Sequence, residues 1–126
     1  MRNATVLLAR LLLAQIFLMS GVSKLGAGYA ATQGYMQSMG VPGALLPLVI
    51  ALEIGGGLAI IVGFLSRWAA IALAGFCLVS AAIFHHNFAD QMQAIMFMKD
   101  LAMAGGLLLL FAYGAAGWAV ERQTSP

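Results

Sequence analysis

One stretch constrains this chain more than any other: Leu45 to Leu65, an apolar run that carries a single carboxylate, Glu53, near its middle. About 20 residues at ~1.5 Å rise cross the ~30 Å hydrocarbon layer of a bilayer, so the run reads as a transmembrane helix. An acid at that depth is costly unless a cation, water or a proton neutralises it, which makes Glu53 a functional-site candidate by default. Ala51, Gly55, Ala59 and Gly63 recur at every fourth position, with Gly56 and Gly57 beside the acid. Small residues at that spacing let helix backbones approach closely. The ridge is therefore expected to be covered by another helix of the bundle or by a second copy of the chain.

Composition fixes the solvent. Of 126 residues, 63% are hydrophobic and only 8% charged. A soluble domain needs roughly a quarter of its residues charged. The surface of this chain must face lipid, and a single domain over residues 1–126 is expected. Six lysines and arginines are scattered singly, with no stripe that could follow a phosphate backbone, so nucleic acid is discounted. Cys77 is the only cysteine, which excludes an internal disulfide and a cysteine-rich metal site. Any redox chemistry must be borrowed from outside the chain.

The first apolar segment covers about residues 4–23. Arg10 interrupts it and no small-x-small cleavage pattern follows, so it is read as a retained helix rather than a signal peptide. Arg10, Ala14, Phe17, Gly21 and Lys24 are spaced by three and four, placing both cations on one face that should look into the bundle. Between Lys24 and Ala44 the polarity is mixed and glycines stand at both ends. Tyr29, Thr32, Tyr35, Met36 and Met39 keep helical spacing there, before Gly40 and Pro42, which predicts a short interfacial helix; an ordered loop with interfacial tyrosines is the alternative. Further crossings are expected over about residues 45–65, 68–84 and 94–118, the second and third joined by a turn short enough to force antiparallel neighbours. The predicted fold is an all-α integral membrane protein: a four-transmembrane-helix antiparallel bundle with a short interfacial helix between helices 1 and 2.

Four crossings put both termini on one side. Arg2, Arg10, Arg67 and Arg122 lie toward that side, against Lys24 and Lys99 on the other. That bias favours cytoplasmic termini, with Trp68 and Trp118 as anchors at the same boundary. Lys24, Glu53, His85, His86, Lys99 and Asp100 then gather in the opposite, outer half of the bundle, where each buried charge needs a counter-charge. Arg10 is the expected partner of Glu53, because its planar fork can give a carboxylate two hydrogen bonds and Lys24 can reach the headgroups instead. Such pairs can equally serve only to pin helix register.

Adjacent histidines on a helix point ~100° apart, so His85 and His86 cannot both ligate one haem iron within a chain. His86 and Asp90 alone make a weak metal site, and no metal is expected. Met92, Met96, Met98 and Met103 suit gap filling, or the lining of a pocket for a flat apolar ligand.

The order Arg10, Phe17, Ser20-Gly21, Lys24-Leu25, Tyr35-Met36, Gly40-Val41-Pro42, Leu52-Glu53-Ile54-Gly55-Gly56-Gly57, Gly63-Phe64, Arg67, Phe84-His85-His86, Phe97-Met98-Lys99-Asp100-Leu101 and Gly105-Gly106 resembles the DoxX family of small bacterial membrane proteins. The resemblance covers nearly the whole chain. It implies a four-helix inner-membrane protein, from a family that includes a subunit of thiosulfate:quinone oxidoreductase and a mycobacterial member linked to oxidative-stress enzymes. Neither activity follows from this sequence, and whether the chain is an enzyme stays open. Arg10, Lys24, Glu53, His85 and Lys99 match the family pattern, whereas Asp100 stands where asparagine is expected.

Two functions remain in view. In the first, the chain is the membrane subunit of a quinone-linked redox or oxidative-stress system. Glu53 with His85 or His86 would be the proton-relaying candidates, Lys24 and Lys99 would hold an anionic or carbonyl oxygen, and Asp100 would complete the binding set. Its partners would be the lipid bilayer and a redox subunit or a second copy, and its cofactor a quinone. In the second, the chain is a non-catalytic scaffold or small-solute passage whose buried charges are structural.

Overall fold

The computed structural model describes residues 2–120. Its helices are α1 (Arg2–Ser23), α2 (Ala27–Ser38), α3 (Leu46–Val62), α4 (Ser66–Phe84) and α5 (Gln91–Tyr113), with a 3₁₀ turn at Gly43–Leu45 before α3. Four segments are long and apolar enough to cross a membrane: Arg2–Ser23, Gly43–Val62, Ser66–Phe84 and Gln91–Tyr113. The chain is an all-α membrane protein. The polar tail at 121–126, with Arg122, lies outside the described residues.

The bundle is built as two helix pairs, α1 with α3 and α4 with α5, joined mainly where α3 packs on α4. Ala14, Phe17, Ile60, Leu73, Cys77 and Leu107 form the centre of the core. Leu12, Met19, Leu48 and Leu109 point outward, as suits side chains whose solvent is lipid. Because lipid tails are as apolar as leucine, close backbone approach rather than the hydrophobic effect has to hold such helices together. That approach occurs between α1 and α3. A Cβ on Gly21 would sit 2.6 Å from Ile54 Cγ1, and one on Gly57 would sit 3.0 Å from Leu18 Cγ.

Of the expected ridge only Gly63 is buried within the chain, against Ala115 and Ala119 of the segment after α5 rather than against α1. Ala51 and Gly55 are exposed, and a Cβ on Gly55 would meet nothing within 4 Å. The inward residues of α3 are Leu46, Glu53, Gly56, Gly57 and Ile60. The reason is the acid: turning Glu53 into the bundle rotates positions 51 and 55, each ~200° away around a 3.6-residue helix, toward lipid. On α1 the expected face is the buried one, namely Arg10, Ala14, Phe17 and Gly21.

The interfacial segment is helical, as α2. Its inward anchor is Met36, Tyr35 stacks on Phe84 of α4 with ring centroids 5.3 Å apart, and the chain leaves it through Gly40 at φ 81°. The last crossing starts and stops earlier than 94–118. Asp90 caps α5 by accepting from the Met92 N–H at 3.0 Å, a side-chain cap that fixes the helix start. The helix then ends at Tyr113, where Gly114 takes φ 80° and Ala116 takes φ 65°. Residues 114–120 instead fold back along the terminal end. Asn3 accepts from the Gly117 N–H at 3.0 Å, and the Val120 N–H donates to the Val62 carbonyl at 2.9 Å.

Candidate functional site

At the end of the bundle that carries α2, the two helix pairs part around a cavity of about 690 Å³ whose walls come from all five helices. The separation follows from the packing, since α1 barely touches α5 and α2 covers the gap rather than filling it. Phe17, Met36, Phe76, Ile83, Met96 and Met103 supply its apolar walls. Lys24, Glu53, His85, Lys99 and Asp100 also line it, so five residues singled out from sequence are brought into one place. His86 is not among them. It lies exposed just past the end of α4, because the helix stops at Phe84 and the chain turns outward there. Met92 lines the cavity as well, while Met98 faces outward.

Glu53 is 3% exposed. Its Oε1 accepts from Lys24 Nζ at 2.7 Å. The same ammonium donates to the Ser20 carbonyl at 3.2 Å and to Ser20 Oγ at 2.5 Å. Ser20 is one helical turn before Lys24, so the end of α1 and the residue just past it assemble this part, and Glu53 completes it from α3. On the opposite wall, His85 Nε2 lies 3.9 Å from Asp100 Oδ2, close enough for attraction when the ring is protonated but beyond hydrogen-bond length. Lys99, next to Asp100, is exposed at the rim.

The expected pairing of Arg10 with Glu53 is therefore incorrect. The register between α1 and α3 explains it: Gly21 lies against Glu53 and Ile54, whereas Arg10 reaches Ile60 and Ile61. Eight residues of helix, ~12 Å, separate Glu53 from Ile61. Arg10 is 1% exposed and donates to four main-chain oxygens. Nε bonds Ile60 O at 3.1 Å, Nη2 bonds Ile61 O at 2.8 Å, and Nη1 bonds Ala115 O at 2.7 Å and Trp118 O at 2.8 Å. The first two oxygens belong to the last turn of α3, where carbonyls lack intrahelical partners and the helix dipole is negative. The other two come from the irregular segment after α5. A guanidinium can thus be buried among carbonyls, where it ties α1 to α3 and to the segment after α5.

Ser20, Thr32, Tyr35, Cys77 and Ser80 also line the cavity, although none carries a charge that marks it in the sequence. For Ser20 the spacing to Lys24 was a usable indication. For the others, only the rotation of α2 and α4 shows which residues face inward.

Residues 5–86 match the DoxX family. The chain is 49% identical over 122 residues, 97% of this chain and 93% of the relative, to the inner membrane protein YqjF of Escherichia coli strain K12. It is 31% identical over 129 residues, 97% of this chain and 91% of the relative, to the inner membrane protein YphA of the same organism. No solved structure matches it.

Proposed function

Because this chain belongs to the DoxX family of multi-pass inner-membrane proteins, we propose that it is the ligand-holding membrane subunit of a quinone-linked redox system. The carrying observation is the cavity. An apolar chamber of about 690 Å³ that gathers Glu53, Lys24, His85, Lys99 and Asp100 at its walls has the form of a small-molecule site: apolar lining with a few convergent polar groups. A benzoquinone ring fits such chemistry, with flat apolar faces for Phe17, Met36 and Met96, and oxygens for the charged groups. Glu53 and His85 are the groups placed to exchange protons with those oxygens. Electrons come from a partner subunit, since a single thiol cannot cycle through an internal disulfide.

The test is the quinone absorbance of a lipid extract from protein purified in mild detergent. About one quinone per chain, counting quinone and hydroquinone together after re-oxidation of the extract, is expected in the wild type. No quinone above the lipid background would overturn the proposal.

The tight Lys24–Glu53–Ser20 cluster supports a second reading, in which the charges only hold helices together and the chain is a scaffold. In that case Glu53→Gln leaves bound lipid composition and the host's growth under oxidative stress unchanged. We also propose cytoplasmic termini, from the excess of Arg2, Arg10, Arg67 and Arg122 over Lys24 and Lys99. A reporter fused after Pro126 that is active only in the periplasm should be silent; activity would reverse the orientation.

A further inference from the structure

The polar groups of the cavity differ in what they still have to offer. Lys24 has three N–H donors, and three acceptors already take them: the Ser20 carbonyl, Ser20 Oγ and Glu53 Oε1. The ammonium therefore has no donor left for a ligand unless one of these bonds breaks. Glu53 is in the opposite condition. Its Oε1 is held by Lys24, while Oε2 has no hydrogen-bond partner among the described residues and is not sealed off from the cavity that the carboxylate lines. A residue 97% removed from solvent thus presents one fixed and one open carboxylate oxygen. At the rim a donor stands beside the Asp100 carboxylate: Lys99 has no partner among the described residues and an ammonium can only donate.

We infer that Glu53 is the specificity-determining residue of this cavity, accepting a hydroxyl hydrogen of the ligand through Oε2, so that the site prefers a hydroquinone or similar apolar phenol to the oxidised quinone. This rests on the cavity reading proposed above and adds the redox state of the ligand. A quinone carries only acceptor oxygens. Placed against Glu53 Oε2 it would set carbonyl lone pairs against a carboxylate, and only its rim oxygen, at Lys99, would be matched. A hydroquinone hydroxyl both donates and accepts, which satisfies Glu53 at the inner end and Lys99 at the rim. A hydrogen bond to a charged acceptor, made by one form and replaced by repulsion in the other, corresponds to a preference of about 10-fold or more. Ten-fold tighter binding of the reduced form raises the midpoint potential of the bound two-electron couple by ~30 mV.

The experiment is anaerobic titration calorimetry of the full chain in lipid nanodiscs, with a short-tailed benzoquinone and, separately, its hydroquinone. The wild type should bind the hydroquinone at least ~10-fold tighter. Glu53→Gln, whose amide can accept or donate, should reduce the ratio to near one. Ser20→Ala removes the Oγ acceptor, releases one Lys24 N–H toward the cavity, and should move the ratio toward the quinone; this variant leaves the Lys24–Glu53 pair in place and decides the matter if Glu53→Gln does not fold. Equal affinities in the wild type, or tighter quinone binding, would overturn the inference while leaving the cavity as a quinone-class site. Binding of neither molecule would remove both.

Discussion

The two ends of the bundle each bury charge, and they satisfy it in opposite ways. At the terminal end, Arg10 is surrounded by the carbonyls of Ile60, Ile61, Ala115 and Trp118, within a site only 1% exposed. At the α2 end, Lys24 and Glu53 are joined but a carboxylate oxygen and the Lys99 ammonium remain available beside a cavity. The terminal cluster is lined by main-chain oxygens and ties α1 to the end of α3 and to the segment after α5. The other is held firmly on one side and left open on the other, which is the arrangement a binding site requires. Equal burial of charge thus carries different meaning, and the number of unused donors and acceptors separates the two.

This contrast can be broken most severely at Arg10. Arg10→Ala leaves four carbonyls without their donor in a dry site, and we expect a loss of about 4 kcal/mol in detergent unfolding. Pairing Arg10→Leu with Glu53→Leu should not restore stability, because the two residues belong to different clusters. Next in size is Lys24→Met, which strands a buried carboxylate and should cost about 3 kcal/mol. Here the double variant Lys24→Met with Glu53→Leu should recover most of that loss, and a double-mutant cycle measures the recovery.

The sequence made the fold legible because its causes are local. Mean apolar length, the glycines at Gly26 and Gly40, and the short turn at Gly63 are each sufficient to place an element. The burial of Arg10, Ala14, Phe17 and Gly21 was visible in their spacing. The partner of Glu53 was not, since it depends on how far α1 slides along α3, and counting residues from the ends of hydrophobic runs misplaces that register by two turns. The end of α5 was missed for a related reason. Apolar composition continues through Trp118, but Arg10 draws the carbonyls of Ala115 and Trp118 out of helical geometry. The convergence of Lys24, Glu53, His85, Lys99 and Asp100 was readable from topology, whereas the outward position of His86 needed the exact end of α4.

Two smaller effects sharpen the account of helix contact. Gly57→Leu forces a side chain against Leu18 and the Ala14 carbonyl, 3.0 and 3.3 Å from the new Cβ, and should lower stability by about 2 kcal/mol. Gly55→Leu, on the outward face two positions away, should change it by less than ~0.5 kcal/mol, read from thermal unfolding in the same detergent. If Gly55→Leu instead splits a larger species in detergent, the outward part of the ridge, Ala51-Gly55-Ala59, is an interface between copies, Gly63 being covered within the chain.

The most direct measurement of the difference between the two ends is ligand-induced thermal stabilisation of wild type, Arg10→Lys and Glu53→Gln by a short-tailed benzohydroquinone. A ligand that binds only the folded chain raises its unfolding temperature in proportion to how well the site holds it. Arg10→Lys should start from a lower melting temperature yet gain the same increment as the wild type, and Glu53→Gln should lose most of the increment whatever its starting point. An undiminished increment in Glu53→Gln, or its disappearance in Arg10→Lys, would contradict the assignment of binding to the α2 end and structure to the other.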